Sequence, residues 1–212
     1  GLTEGTTYYF QVTAKDPSSN TVTYSTSSYT VPDQTVPTVG TSTISVTSNS
    51  DVQVALSWTA ASDSVTSTAN LQYIVYYSTT SGQMSTASNA EANGTAFGSY
   101  AANTTSTTVT GLTPSTTYYF QVIVKDEAGN KSVYSEKSQA TDADSTAPTV
   151  GTTTISVTSS SDSQVDLSWT AASDAVTAEA SLQYLVYYHT SSGQMGSVAN
   201  TEANGTAFGS YT

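Results

Sequence analysis

Residues 111–134 read GLTPSTTYYFQVIVKDEAGNKSVY. Within this stretch Tyr118, Phe120, Val122 and Val124 recur at every second position. Successive side chains of a strand point to opposite faces, so this spacing predicts a strand over 118–125 with one buried face. The DEAGN run at 126–130 puts Gly129 where a hairpin turn takes positive φ, and a return strand is expected over 131–140. An antiparallel pair of this kind is the unit of an all-β fold.

The same stretch opens the chain. GLTEGTTYYFQVTAKD at 1–16 matches GLTPSTTYYFQVIVKD at 111–126, an offset of 110. A second register, offset 111, links VPTVGTSTISV (36–46) to APTVGTTTISV (147–157) and LSWTAASD (56–63) to 167–174. It also links LQYIVYY (71–77) to LQYLVYY (182–188) and SGQM (81–84) to 192–195, and EANGTAFGSY at 91–100 recurs unchanged at 202–211. A one-residue difference must therefore lie between Asp16 and Val36. A fixed period of this length marks tandem copies of one sandwich-sized domain. The chain is read as strands F and G of one repeat (1–33), a complete repeat (34–144), and the head of a further repeat (145–212), strands A to about D. The linkers, 30–37 and 140–148, are polar, carry Asp and end in Pro, which cannot donate to a strand ladder.

Inside the complete repeat, strands are expected at 40–47, at 52–59 with Val52, Val54, Leu56 and Trp58 inward, and at 71–78 with Tyr73, Val75 and Tyr77 on one face. The stretch 79–106, rich in Gly, Asn and Ser, reads as one or two short edge strands with loops, followed by a strand over 107–112. No helical periodicity is evident. Trp58, and Trp169 in the following copy, are the expected core anchors, because Trp buries a large apolar area.

These residues carry a family resemblance. Leu112-x-Pro114-x-Thr116-x-Tyr118-x-Phe120-x-Val122 resembles the strand E to strand F corner of fibronectin type III domains. Trp58 stands at that family's strand-B Trp, and Tyr73-x-Val75-x-Tyr77 resembles its strand C. The fold class this implies is tandem immunoglobulin-like (fibronectin type III) antiparallel β-sandwiches. The resemblance also implies that Tyr118 and Tyr8 are tyrosine-corner residues whose hydroxyls bond nearby backbone. Glu4 replaces Pro114 in the first copy, where a looser corner is expected. Domains of this family act as spacers, adhesive modules and accessory modules of secreted enzymes.

Composition narrows the function classes. Sixteen acidic residues against four Lys give a net charge of −12, with no Arg at all. Such a surface repels nucleic-acid phosphates and anionic lipid, so neither nucleic acid nor membrane insertion is expected. Charged residues make up only 9 % of the chain, and Ser and Thr together supply 77 of its 212 residues. Threonine suits a wet strand surface. The absence of Cys leaves each sandwich to its core alone and favours an extracellular or cell-surface, bacterial setting.

Catalysis is not expected. The sole His, His189, falls where the other copy has Ser78, and no nucleophile motif or phosphate-binding loop is present. No cofactor is expected apart from Ca²⁺ at the joints between repeats. In this topology the linker and the BC and FG loops meet at one pole, and hard cations take carboxylate and carbonyl oxygens. The candidate ligands are Asp33 and Asp63, with Asp126 and Glu127, at one joint, and Asp142, Asp144 and Asp174 at the next. Asp in turns also caps its own backbone, which is the commoner role. Sequons occur at Asn93, Asn103, Asn130 and Asn204, and Tyr76, Tyr119 and Tyr187 are outward residues that could stack on sugars. The expected role is a structural segment of an extracellular filament, stalk or surface fibre, with neighbouring repeats or copies as head-to-tail partners. The alternatives are an adhesive or carbohydrate-binding module with a glycan or surface receptor, or the spacer of a large secreted hydrolase.

Overall fold

The computed structural model describes residues 1–211 and divides into two compact units, Gly1–Asp144 and the residues from Ser145 onward. In the first unit, the tail carries two strand pairs. Strand β1 (Thr7–Phe10) pairs with β4 (Ser27–Thr30), and β2 (Thr13–Lys15) with β3 (Thr21–Thr23).

The complete repeat is a two-layer antiparallel sandwich. One sheet runs β5 (Ile44–Asn49), β6 (Gln53–Trp58) and β9 (Ser106–Thr110) in the order β5-β6-β9. The other places β7 (Gln72–Ser78) between β8 (Thr95–Ala102) and β10 (Thr117–Lys125). Beyond β10 the final strand is split into β11 (Lys131–Val133) and β12 (Lys137–Ala140), not the continuous strand that its sequence suggests. The split follows from Tyr134, whose hydroxyl donates to Thr59 O at 2.5 Å across the sandwich, and from Ser135, whose N–H bonds Ser42 O at 2.7 Å. The chain there leaves β10 to reach the edge of the first sheet.

The inward residues are those that period two selects. Val54, Val122 and Val124 are fully buried, as are Phe120 and Val109, and they pack with Trp58, Tyr73, Val75 and Tyr118. Trp58 and Tyr73 rings lie 6.0 Å apart, and the Tyr73 hydroxyl accepts from Ala61 N at 2.9 Å. Burial at roughly 25 cal/mol per Å² makes this cluster the main source of stability in a chain without disulfides.

A second apolar cluster lies on the outer side of the β7–β10 sheet. There a helix, α1 (Ala87–Asn93), falls inside the stretch expected to be loops and edge strands. Thr86 caps it by accepting from Asn89 N at 3.1 Å, satisfying one of the N–H groups that a helix start leaves free. Ala90 and Met84 from this segment close over Ile74 and Ile123, with Tyr76, Tyr100 and Tyr119 packed around them. Tyr76 and Tyr119 are thus half-buried packing residues rather than a free sugar-stacking surface.

The second unit repeats the local structure. Strand β13 (Thr149–Val150) pairs with β16 (Ala172–Ser173), and β14 (Ile155–Ser160) with β15 (Val165–Trp169). The last pair, β17 (Val186–Tyr188) and β18 (Thr206–Phe208), flanks a helix α2 (Val198–Asn204) that is capped by Ser197. The β14–β15 register shifts between Val157 and Ser159, as β5–β6 shifts between Val46 and Ser48. No helix among the described residues is long and apolar enough to cross a membrane.

Candidate functional site

Both corner tyrosines make the backbone bond. The Tyr118 hydroxyl accepts from Thr113 N at 3.0 Å and the Tyr8 hydroxyl from Thr3 N at 2.9 Å. Glu4 therefore does not loosen the first corner. Its carboxylate turns to the linker and accepts from Thr35 Oγ1 at 2.6 Å, which holds it below the usual carboxylate range.

The strand registers locate the one-residue difference between copies. Thr7 pairs Thr30 where Thr117 pairs Ala140, and Val31 N bonds Thr6 O where Thr141 N bonds Thr116 O. The offset is still 110 at Val31, so the extra residue lies in the linker itself, where DADST (142–146) replaces PDQT (32–35).

At the first joint, three segments converge. Asp33 lies in the linker, Asp63 in the loop after β6, and Asp126 at the start of the turn between β10 and β11. One carboxylate oxygen from each lies within 4.8 Å of the others, and Asp126 is 1 % exposed. The turn is built by Asp126 itself, whose Oδ1 accepts from Asn130 N at 2.7 Å and whose Oδ2 accepts from Asn130 Nδ2 at 2.8 Å. Asp16 and Asn20 make the same pair of bonds in the first copy. The Asn130 amide also donates to the carbonyls of Asp33 and Thr35, each at 3.3 Å, and so clamps the linker.

Gly5 seals the joint from the other side. It sits at φ +68°, and a Cβ there would meet Val65 Cγ1 at 2.4 Å, so only glycine allows this approach. Between the loops, Glu127 N donates to Thr66 Oγ1 at 3.2 Å, and Asn70 Nδ2 donates to Glu127 Oε1 at 3.0 Å. Burial raises the Asp33 carboxyl above its ordinary range, and the charges of Asp63, Asp126 and Glu4 add to the rise.

The remaining candidates are placed differently. Asp142 is held by its own repeat, where its Oδ1 accepts from Asn49 Nδ2 at 2.8 Å and its N–H donates to Ser50 O at 3.0 Å. Asp174 closes its own loop by accepting from Val176 N and Thr177 N at 2.8 and 2.7 Å, and those bonds hold it below the usual range. Asp144, the sequence counterpart of Asp33, ends the first unit. Glu127 bridges loops and is not in the carboxylate triad.

The fibronectin type III domain model matches residues 36–141. The chain belongs to the fibronectin type III family. It is 38 % identical over 157 residues to Chitinase A1 of Niallia circulans, a match covering 71 % of this chain and 20 % of that protein. The chain thus spans about a fifth of the length of this curated relative. Among solved structures, it resembles the chicken CNTN1 FN1-FN3 domains, with 21 % identity, 66 % of this chain and 44 % of that chain covered, and a TM-score of 0.40. A fibronectin type III domain of human fibronectin type III domain containing protein 3 gives 21 % identity, 52 % and 87 % coverage, and a TM-score of 0.38.

Within this family setting, the described residues assemble no catalytic constellation. His189 Nδ1 accepts from Ser191 N at 2.8 Å and closes a local turn. An open hollow of about 450 Å³ in the second unit is lined by Ile155, Leu167, Trp169, Tyr184 and Val186. These correspond to Ile44, Leu56, Trp58, Tyr73 and Val75 of the complete repeat, so the hollow is a core face and not a ligand cleft. Three of the four sequon asparagines have structural uses, since Asn93 and Asn204 donate to Gln83 O and Gln194 O and Asn130 clamps the linker. Sequence reasoning found Asp33, Asp63 and Asp126 but missed Gly5, Val65 and Asn130. The Asp-x₃-Asn spacing shared by 16–20 and 126–130 was the available signal for Asn130.

Proposed function

We propose that this chain is a connecting segment of an extracellular polypeptide, a head-to-tail run of sandwiches that sets the spacing between other parts and performs no chemistry itself. The joint carries this reading. Asn130 grips two linker carbonyls, and Gly5 packs on Val65, so within the first unit the tail of one repeat and the complete repeat after it are held by specific contacts and not by a loose tether. Repeats joined in this way gain reach by repetition.

The likeness to a fifth of Chitinase A1 favours one setting, a spacer of a secreted bacterial hydrolase whose catalytic part lies outside these residues. A surface filament is the second setting, and the unchanged EANGTAFGSY segment in successive copies speaks for it. In either setting the partners are neighbouring repeats.

Small-angle X-ray scattering on chains carrying increasing numbers of the 34–144 repeat tests the reading. The maximum dimension is expected to rise in proportion to copy number. Growth with roughly the square root of copy number, as for flexibly linked units, would overturn it.

A further inference from the structure

We infer that Asp33, Asp63 and Asp126 form a calcium site that locks the linker to the two loops at the pole of the following repeat. Local turn formation explains only half of each flexible carboxylate. Asp33 Oδ1 accepts from Thr35 N at 3.1 Å, and Asp63 Oδ1 accepts from both Val65 N and Thr66 N at 2.8 Å. The other oxygen of each, Oδ2, is buried without any hydrogen-bond partner. Removing an anionic oxygen from water with no donor is costly, and two such atoms beside a third carboxylate call for a cation. Protein cations do not supply it, since the one ion pair among the described residues is Lys131–Glu91.

The donors are those of a hard cation: three carboxylates, one oxygen of each within 4.8 Å of the others, are the oxygen ligands that calcium takes. Magnesium dehydrates reluctantly and usually keeps several waters rather than entering a site built by protein carboxylates. Asp126 already accepts two bonds from Asn130, but a carboxylate offers about four lone-pair sites and keeps capacity for a metal. This inference rests on the connector reading for its consequence, a stiffer joint, but not for the binding itself.

Titrating the ¹⁵N-labelled 212-residue chain with CaCl₂, with MgCl₂ in parallel, tests it. Amide shifts are expected to saturate around Asp33, Asp63–Thr66 and Asp126–Asn130, with an apparent Kd on the order of 10⁻⁴–10⁻³ M, as in extracellular modules. Asp33→Asn and Asp63→Asn each keep the Oδ1 that serves the local turn and are expected to weaken binding about tenfold or more. Without calcium, Asp33→Asn is expected to be at least as stable as the parent, because it relieves like-charge repulsion; with calcium that order should reverse. Absence of shifts at these residues up to about 10 mM CaCl₂, an equal response to MgCl₂, or parental affinity in both variants would overturn the site. Failure here leaves the scattering result untouched, and failure of linear growth leaves the titration untouched.

Discussion

The complete repeat and the head that follows it are nearly the same sequence in two packing environments. Their local structures agree closely. The Trp169 and Tyr184 rings lie 5.9 Å apart against 6.0 Å for Trp58 and Tyr73, and Tyr184 accepts from Ala172 N as Tyr73 does from Ala61 N. The capped helix and the bulged β14–β15 pair are likewise reproduced. Burial does not agree. Ile44 is 2 % exposed and its counterpart Ile155 63 %, while Trp58 is 7 % exposed and Trp169 43 %. Among the described residues the second unit forms only two-stranded pairs, where the complete repeat has sheets of three and five strands. Hairpins, caps and ring pairs are thus properties of short sequence, whereas the core belongs to the meeting of two sheets.

Paired substitutions read by amide hydrogen exchange in each copy can break this comparison. Ile44→Ala is expected to cost the complete repeat about 2–5 kcal/mol, the usual range for emptying a core site. Ile155→Ala, at an exposed position, should cost under about 0.5 kcal/mol, and similar losses in the two copies would show that the second core face is covered. Tyr73→Phe comes next. It leaves the Ala61 N–H buried without an acceptor, at about 1–3 kcal/mol; Ala172, the partner of Tyr184, is also buried at 5 % exposed, so Tyr184→Phe should cost a comparable amount. Thr86→Ala and Ser197→Ala should also behave alike, at about 1 kcal/mol each, because a cap is local; a large difference would mean that the helices depend on the sheet beneath them.

Acid titration followed by NMR gives the smallest and most specific effect. Backbone hydrogen bonds hold Asp174 low, so its contribution to stability is present above the ordinary Asp range and is lost as pH falls through its lowered value. Asp33 is raised, so it works in reverse. The desolvation of its charge, with the repulsion from Asp63, Asp126 and Glu4, has no cost below the ordinary range and lowers stability as pH rises towards the raised value. In chelator, acidification should therefore tighten the Asp33 joint at a pH where the Asp174 loop is still unaffected. Asp33 titrating at or below Asp174 would refute this.

The sandwich was legible because alternation of large apolar residues is hard to mistake. Phe120, Val122 and Val124 name their own strand and its inner face. The helix was not legible for an equally physical reason. Seven residues give fewer than two full periods, and Ala90 is its only buried residue, so no amphipathic stripe can accumulate. A clue did exist in YIVYY at 73–77 and FQVIV at 120–124, where apolar residues occupy both faces and so demand a cover on each side. The joint was half legible. Acidic residues near a linker could be paired from the topology, but the fit of Gly5 against Val65 depends on a backbone approach that no side-chain pattern records.

The unchanged EANGTAFGSY segment has a consequence for how such a chain is made. The first six residues of strand β8, Thr95–Tyr100, recur unchanged in the next copy, so during synthesis the strand could pair with a neighbour's β7, and tethering keeps that neighbour at an effective concentration on the order of millimolar. Exchange of identical elements costs little once started. Helix α1 lies between β7 and β8 in sequence and docks on β7, so the correct partner arrives by closing a short loop, while the wrong one must span the 111-residue period. The small helix thus acts as a proofreader of strand choice, and a version of the array with a long unstructured loop in its place should misassemble more often as copies are added.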